Sequence, residues 1–216
     1  MAERKGLLIT FEGIDGSGKS THLRRLALWL ETQGIVPKTY AEPGGTDLGQ
    51  KIRDMLLKST EPMDIRTEAL LFLTARSELV ATILLPALAA GAIILLDRFT
   101  DSTLAYQGWG RGIDLGDLVR MAGFAAHGLE PDLTFYLDIP PEQAFKRCHR
   151  PHQAPDRFES AGLEYFARVR EGYLALAQAH QERIHLLDSS LSLEVVSTRI
   201  VELTSLKLIN TGHMVK

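Results

Sequence analysis

The chain has 216 residues, of which 45% are hydrophobic, so it is long enough to bury a sizeable core within one domain. Its formal charge of −3 gives no basic surface of the kind that holds a nucleic-acid polymer, which favours small-molecule ligands. Cys148 is the only cysteine, which excludes an intramolecular disulfide and argues against a Cys/His zinc site.

The sequence carries no pattern that is typical of membrane targeting. Arg4 and Lys5 precede an apolar run that is too short for a signal peptide. The longest apolar stretch, Leu84 to Leu96, is interrupted by Pro86 and Gly91 and is shorter than a membrane span. We therefore expect a cytoplasmic protein without a membrane partner.

Five short apolar runs alternate with helical patterns along the chain. We interpret them as buried strands of one parallel sheet, built from right-handed βαβ units with helices on both faces. Ligands of such folds bind at the carboxyl ends of the strands, so functional residues are expected just after each run. The runs are Leu7 to Phe11, Val36 to Tyr40, Ala92 to Leu96, Leu133 to Leu137 and Ile184 to Leu187.

A complete phosphate-binding motif, G-I-D-G-S-G-K-S, follows the first run and opens a helix predicted over Ser20 to Leu30. Its backbone amides can surround phosphate oxygens, Lys19 can reach the β- and γ-phosphates, and the Ser20 hydroxyl can bind Mg²⁺. The alternative, a glycine-rich turn that binds nothing, is disfavoured because strand, helix, lysine and serine all stand in place. The predicted ATP-binding residues are Gly13, Ile14, Asp15, Gly16, Ser17, Gly18, Lys19, Ser20 and Thr21.

Asp97 and Arg98 end the third apolar run. A carboxylate at this position can help to hold Mg²⁺, and we predict Ser20 and Asp97 as its protein ligands. The alternative for Asp97 is a helix cap or turn residue. An Asp-Arg pair at the end of a buried strand is uncommon for packing reasons, which favours the functional interpretation.

Phe72 and Arg76 are four residues apart on a predicted helix and so share one face. An aromatic ring beside a forked hydrogen-bond donor suits a pyrimidine base. The alternative is a core stripe formed by Leu70, Phe72, Leu73 and Leu79, with Arg76 solvated.

The segment from Asp97 to Asp114, D-R-F-T-D-S-T-L-A-Y-Q-G-W-G-R-G-I-D, closely resembles bacterial thymidylate kinases. The resemblance implies a P-loop NTPase fold of class α/β, with a five-stranded parallel sheet, helices on both faces and a mobile lid. It also implies ATP with Mg²⁺ as the donor, dTMP as the acceptor and, usually, a homodimer. Further matches, in the order of the family, are F-E-G-I-D-G-S-G-K-S-T, E-P-G-G-T, L-L-F-L-T-A-R, Y-L-D and D-R-F-E.

The resemblance also implies roles for individual residues at the acceptor. Phe72 would stack on thymine and Arg76 would bind its carbonyl edge. Arg98 and Arg53 would clamp the acceptor phosphate, although Arg53 could instead be an exposed, salt-bridging helix residue. The full predicted set of dTMP-binding residues is Asp15, Glu42, Arg53, Phe72, Arg76, Arg98, Ser102, Thr103, Tyr106 and Gln107.

The remaining members of this set have more specific implied roles. Thr103 and Gln107 would make polar contacts to the base, and Tyr106 would flank the deoxyribose; for Ser102 the alternative is that it only shapes the turn. Asp15 resembles an acidic residue near the sugar 3′-hydroxyl, and Glu42 a carboxylate that orders the acceptor site and metal. Both carboxylates could instead be local caps.

Two features depart from the common family pattern. Ala41 stands where the family commonly has an arginine before E-P-G-G-T, so a contact is missing or supplied elsewhere. The variable positions of the P-loop contain no arginine, and family members of that kind place basic catalytic groups in the lid. We predict a lid at approximately 147–160, with Arg150 and Arg157 as catalytic residues beside Lys19 and Arg98, and Arg147 in reserve. A solvated loop is the alternative.

For the organisation of the chain we predict one kinase domain over residues 1–209 and a tail over 210–216. A related function, phosphorylation of uridylate, cytidylate or a deoxynucleoside, is a close alternative. A nucleotide-dependent switch protein is a more distant one, because it would have no use for the pair of Phe72 and Arg76.

Overall fold

The computed structural model of the chain describes residues 5–59, 61–148 and 162–213. All five strands lie in one parallel sheet, in the spatial order β2-β3-β1-β4-β5. The predicted fold class, a five-stranded parallel α/β sheet, is confirmed. The strands are β1 Leu7–Glu12, β2 Lys38–Ala41, β3 Ile93–Asp97, β4 Leu133–Asp138 and β5 Ile184–Asp188.

The first strand lies at the centre of the sheet and is buried along its whole length. Its last residues pair with the ends of both neighbours, Phe11 with Asp97 of β3 and Glu12 with Tyr136 of β4. Because the strands are parallel, their carboxyl ends form one edge of the sheet, and the P-loop begins there.

Helices cover both faces of the sheet. One core lies between the sheet and helices α1 and α9, and a second lies under α3 and α4. A third core, rich in tyrosine, joins α8 to the π-helical segment Leu104–Gly110. The helices are α1 Lys19–Thr32, α2 Asp47–Lys58, α3 Ile65–Leu79, α4 Leu85–Ala89, α5 Thr100–Thr103, α6 Leu115–Ala125, α7 Pro141–Cys148, α8 Leu163–Ala179 and α9 Leu193–Asn210.

The two outer strands are less buried than the sequence predicts. Strand β2 is mostly exposed, and Val36, which precedes it, is 81% exposed. Strand β5 buries Ile184 and Leu187, whereas Leu186 is exposed. The prediction of buried strands was wrong here because β2 and β5 are the edges of the sheet, where part of each strand faces solvent.

Within the described residues, one continuous helical stretch, Ile65–Ala89, is long and apolar enough by length and composition to cross a membrane. It comprises α3, a π-helical segment at Val80–Leu84, and α4. Glu68 and Arg76, both on this stretch, are buried against polar groups of the protein. Both charged side chains are therefore paired inside the protein.

The predicted lid lies mainly outside the described residues, and so do Arg150 and Arg157. Arg147 is described and donates to the backbone oxygen of Ser189 at 3.0 Å.

Near the C-terminal end of the chain, α9 continues to Asn210, and His213 bonds to the backbone oxygen of Lys5 at 2.7 Å.

Candidate active site

The P-loop joins β1 to α1 and holds the first cation of the site. Gly13 has φ +140°, and a Cβ atom there would stand 2.7 Å from the backbone oxygen of Leu137, so a side chain does not fit. Lys19 opens α1, is buried, and donates to the backbone oxygens of Gly13 and Ile14 at 3.0 Å each. Burial, together with the charge of Arg98, lowers its pKa.

Ser20 and Asp97 meet at the open end of the loop. The Ser20 hydroxyl donates to Asp97 Oδ2 at 2.6 Å, although the two residues lie 77 positions apart in the chain. Mg²⁺ prefers oxygen ligands, and it takes few of them from the protein because phosphate and water supply the others. The Ser20 hydroxyl and the Asp97 carboxylate are oxygen ligands of this kind beside a phosphate-binding loop. No cluster of three or more His, Cys, Asp or Glu residues that could hold a metal ion occurs in the described residues. The predicted pair therefore fits a Mg²⁺ ion bound partly by nucleotide.

Arg98 lies directly after β3 with φ +72°, a left-handed conformation that is uncommon for residues other than glycine. Its guanidinium donates to Asp15 Oδ1 at 2.6 Å and to the backbone oxygen of Gly13 at 2.9 Å. It also lies over the ring of Tyr106, 4.8 Å from its centroid, and donates to the hydroxyl of that residue at 3.0 Å. The side chain thus lies against the P-loop.

Asp15 joins the two cations of this region. Its Oδ1 atom is 2.6 Å from Arg98 Nη2 and 3.8 Å from Lys19 Nζ. Burial opposes ionisation of the carboxyl, but the two positive charges outweigh it, so the pKa of Asp15 lies below its usual value. The interpretation of Asp15 as a local cap is not supported by these contacts, because its partners are side-chain cations.

Glu12 is a central residue of the site that the sequence analysis did not single out. It is fully buried and accepts hydrogen bonds from the Phe99 amide at 2.7 Å, the Ser102 hydroxyl at 2.6 Å and the Tyr173 hydroxyl at 2.9 Å. Burial, with the nearby charge of Asp101, raises its pKa to about 7. Its position could have identified it in the sequence, because a charged residue is uncommon at the end of a buried strand.

Arg76 forms the centre of a second polar cluster, under the neighbouring helix. Its side chain is 2% exposed, so the alternative of a solvated Arg76 is wrong. Its three nitrogens donate to Glu42 Oε2 at 2.7 Å, Thr103 Oγ1 at 2.6 Å and the backbone oxygen of Phe99 at 2.9 Å. Burial raises the pKa of Glu42 although Arg76 opposes the shift.

Two rows of side chains face each other beside this cluster. Glu68, Phe72 and Arg76 recur every four residues along α3, and Thr103, Gln107 and Arg111 recur every four residues along the opposite segment. The rows are joined at one end by Arg76 and Thr103. At the other end Gln107 and Arg111 both donate to Glu68, at 3.2 Å. Phe72, which is half-buried, lies between these ends of its row.

The structure distributes the remaining predicted acceptor residues between the two ends of the site. Ser102 and Tyr106 lie at Arg98, and Ser102 Oγ accepts from its guanidinium at 3.2 Å. Arg53 is half-buried and donates to the backbone oxygen of Pro43 at 2.8 Å, next to Glu42. This geometry does not agree with a fully exposed, salt-bridging Arg53.

Comparison with known proteins supplies the family. The sequence profile of the thymidylate kinase family matches residues 11–200. The chain belongs to the thymidylate kinase family. It is 43% identical over 203 residues to the thymidylate kinase of Chlorobaculum parvum, with 90% of this chain and 94% of the other covered. The thymidylate kinase of Alkalilimnicola ehrlichii is 45% identical over 199 residues, with 92% of each chain covered.

A solved structure supports the same family and the P-loop NTPase fold. The crystal structure of thymidylate kinase from Ehrlichia chaffeensis aligns with a TM-score of 0.77 at 30% identity, covering 93% of this chain and 98% of the other. The resemblance seen in the sequence between Asp97 and Asp114 is thereby confirmed as membership of the family. The individual roles assigned to site residues stay predictions.

Proposed function

We propose that this member of the thymidylate kinase family transfers the γ-phosphoryl group of ATP to dTMP, giving dTDP and ADP in the synthesis of DNA precursors. The observation that carries the proposal is the adjacency of two binding arrangements. A P-loop with Lys19 stands against Arg98, and two rows of side chains with an aromatic residue, Phe72, open beside them. The first suits a triphosphate and the second a base carried by a monophosphate.

At the donor side, the residues from Gly13 to Thr21 would bind ATP. The Ser17 hydroxyl is buried and has no hydrogen-bond partner among the described residues, which supports a ligand at the loop. Mg²⁺ would be held by Ser20 and Asp97 with phosphate and water as further ligands, and it would neutralise charge on the transferred group.

At the acceptor side, Arg98 would hold the dTMP phosphate, with Arg53 as a second cation. Phe72 would stack on thymine and Arg76 would donate to its carbonyl edge, with Thr103 and Gln107 beside it. Glu42 supports this assignment: one of its oxygens, Oε1, is buried with no hydrogen-bond partner among the described residues. A substrate group or a water would complete its hydrogen bonding.

The reaction needs no strong base. An oxygen of the dTMP phosphate attacks the γ-phosphorus, the bond from that phosphorus to the β,γ-bridging oxygen breaks, and ADP leaves with the electron pair. The chain's contribution would be alignment by Arg98 and charge stabilisation by Lys19. Arg150 and Arg157, outside the described residues, are proposed as further cations at the transferred group, with Arg147 in reserve.

We also propose that the protein works as a cytoplasmic homodimer without a membrane or nucleic-acid partner. Helices α2, α3 and α6 pack side by side, and each leaves large apolar side chains in solvent. The exposed fractions are 57% for Met55, 54% for Leu70, 54% for Val119 and 86% for Phe124. A second copy of the chain could cover such a surface.

Light scattering after size exclusion tests the homodimer proposal. Leu70→Glu should give a monomer. Leu28→Glu, at a 62% exposed position on α1, serves as the matched control and should leave the mass unchanged. A monomeric wild-type protein would contradict the proposal.

ADP release measured with Mg²⁺ and ATP, in the presence and absence of dTMP, tests the reaction. We expect release to depend on dTMP, with dTDP as the second product. Parallel initial rates with UMP, CMP and a deoxynucleoside separate dTMP phosphorylation from the related kinase activities. Equal ADP release with and without any acceptor would overturn the kinase proposal and favour a nucleotide-dependent switch.

A further inference from the structure

Gln107 has one amide group of defined orientation. Its side chain is buried, and its Nε2 atom lies 3.2 Å from Glu68 Oε1. The carboxylate of Glu68 can only accept hydrogen bonds, so the amide nitrogen of Gln107, rather than its oxygen, must face it. The carbonyl oxygen of Gln107 is therefore turned away from Glu68, and no described residue donates a hydrogen bond to it.

Glu68 is held in this accepting state by Arg111. The Glu68 side chain is fully buried, and Arg111 donates to both of its oxygens, from Nε and from Nη2, at 3.2 Å each. The Arg111 guanidinium also lies 4.9 Å above the ring of Tyr165, which restricts its movement. A fully buried carboxylate that a guanidinium contacts through both oxygens keeps its place.

The two rows of side chains place this oriented amide on the same side of the site as the donors of Arg76. Glu68 and Arg76 stand two helical turns apart on α3 with Phe72 between them. A base that stacks on Phe72 would have Arg76 at one position of its edge and Gln107 at the next. The edge would then meet a donor from Arg76 and an acceptor from Gln107.

We infer that Glu68 is a positioning residue for base recognition, which orients the Gln107 amide so that the pocket takes a base with a ring N–H beside its carbonyl. Thymine and uracil have that edge, with N3–H next to O4. Cytosine has the reverse pattern, with an unprotonated N3 next to an amino group, and would bring two acceptors together at Gln107. The inference rests on the proposed function, since it assumes that a pyrimidine occupies the pocket.

The matched pair of ligands for a test is dTMP and 5-methyl-dCMP. Both carry the same methyl group, sugar and phosphate, and they differ only at positions 3 and 4 of the base. Equilibrium dissociation constants, measured by calorimetry without ATP, report base preference independently of phosphoryl transfer. The quantity of interest is the ratio of the dissociation constant of 5-methyl-dCMP to that of dTMP.

Glu68→Gln should lower this ratio by about tenfold, the fold change that one ordinary hydrogen bond supports. Arg111 would keep the one remaining oxygen of residue 68, and the new amide nitrogen would face Gln107, which would then turn its own oxygen toward it. Glu78→Gln makes the same chemical change on the same helix, about 200° around from Arg76, and should leave the ratio unchanged.

A second variant separates orientation of Gln107 from a general loosening of the pocket. Gln107→Ala should lower the ratio by itself, and Glu68→Gln should then have no further effect on it, because the amide that Glu68 orients is gone. This test also covers a Glu68→Gln protein that does not fold. If Gln107→Ala keeps the full preference for dTMP, the inference is overturned whatever the other variants do.

The results distinguish the inference from the function on which it rests. Equal weakening of both ligands by Glu68→Gln, or an unchanged ratio in a folded variant, would overturn the role of Glu68 while dTMP turnover by the wild type stands. A wild-type protein without dTMP-dependent ADP release would overturn the proposed reaction, whereas a lowered ratio in Glu68→Gln would still support the role of Glu68.

Discussion

The two ends of the candidate site hold their cations in different ways. At the base end, Arg76 is buried and its nitrogens donate to Glu42, Thr103 and a backbone oxygen, all within 2.9 Å. At the phosphate end, Lys19 donates to backbone oxygens of its own loop. The Asp15 carboxylate lies near both Lys19 and Arg98. Both ends carry strong donors, but only Arg76 pairs with a buried carboxylate, because the Asp15 side chain is 37% exposed.

This difference indicates which protein groups can exchange their present partners for a ligand. Backbone oxygens of the P-loop can be replaced by phosphate oxygens without leaving a buried charge unpaired. Removal of Arg76, by contrast, would leave the buried carboxylate of Glu42 without its partner. Substitutions at the base end should therefore affect stability and selectivity, and those at the phosphate end should affect turnover.

The largest effect is expected for Arg76→Ala, which should lower the free energy of unfolding by about 3–5 kcal/mol because it breaks a buried ion pair. Chemical denaturation with a two-state analysis measures the change. Arg53→Ala is the control, since Arg53 is only half-buried and should cost about 1 kcal/mol for one hydrogen bond. Equal losses in the two variants would contradict the distinction between the ends.

Lys19→Ala should have the opposite profile. We expect turnover to fall by about 10²–10³-fold, equivalent to about 2.7–4 kcal/mol, since a charge directed at the transferred phosphoryl group is lost. The free energy of unfolding should change by about 1 kcal/mol, because the lysine donates to loop carbonyls and Asp15 keeps its closer partner, Arg98. Lys58→Ala, at an exposed position on α2, is the control for turnover. Near-normal turnover of folded Lys19→Ala would remove the P-loop assignment.

Glu12 links the ends through Phe99 and Ser102, and it should make stability depend on pH. Its pKa is raised from 4.5 to about 7, so the folded state binds its proton more tightly than the unfolded state does. Its contribution to stability is therefore greatest below about pH 4.5 and is lost as the pH rises through about 7.

The difference in unfolding free energy between wild type and Glu12→Gln measures this contribution, since the glutamine stays neutral. Relative to the variant, the wild type should lose on the order of 2–3 kcal/mol between pH 5 and pH 8. Asp101, whose charge also acts on Glu12, is present in both proteins and cancels in the comparison. A difference that does not vary with pH would show that Glu12 keeps an ordinary pKa.

The smallest effect is expected for Tyr106→Phe, which removes the hydroxyl that Arg98 contacts. The ring packs edge-on against Tyr165, Phe166 and Tyr173 and should stay in place. We expect the KM for dTMP to rise severalfold, about 1 kcal/mol for one hydrogen bond, with stability nearly unchanged.

The same variant tests the predicted role of Tyr106 beside the sugar. If bulk rather than the hydroxyl excludes a ribose, the ratio of kcat/KM for dTMP over ribothymidine monophosphate should stay the same in Tyr106→Phe. A large fall in that ratio would assign sugar selection to the hydroxyl. The comparison keeps thymine in both acceptors, so only the sugar differs.

Local signals in the sequence were sufficient for the sheet, the P-loop and the helix that carries Phe72 and Arg76. Apolar runs and glycine spacing are patterns of residues that lie close together in the chain, so they can be recognised without knowledge of the fold. Ser20 and Asp97 were predicted as ligands of one Mg²⁺ ion, and the structure places their side chains 2.6 Å apart. Burial of β2 was predicted wrongly, since an edge position depends on strand order.

The sequence by itself determined the parallel α/β sheet, its phosphate-binding loop and the resemblance to the family, because each depends on residues that are close in the chain. Only the tertiary structure decided which charges are partnered. Glu12 meets Ser102 and Tyr173 across 90 and 161 positions, and Glu68 meets Gln107 across 39. Contacts over such separations leave no periodicity in the sequence, since they arise from the packing of helices against the sheet.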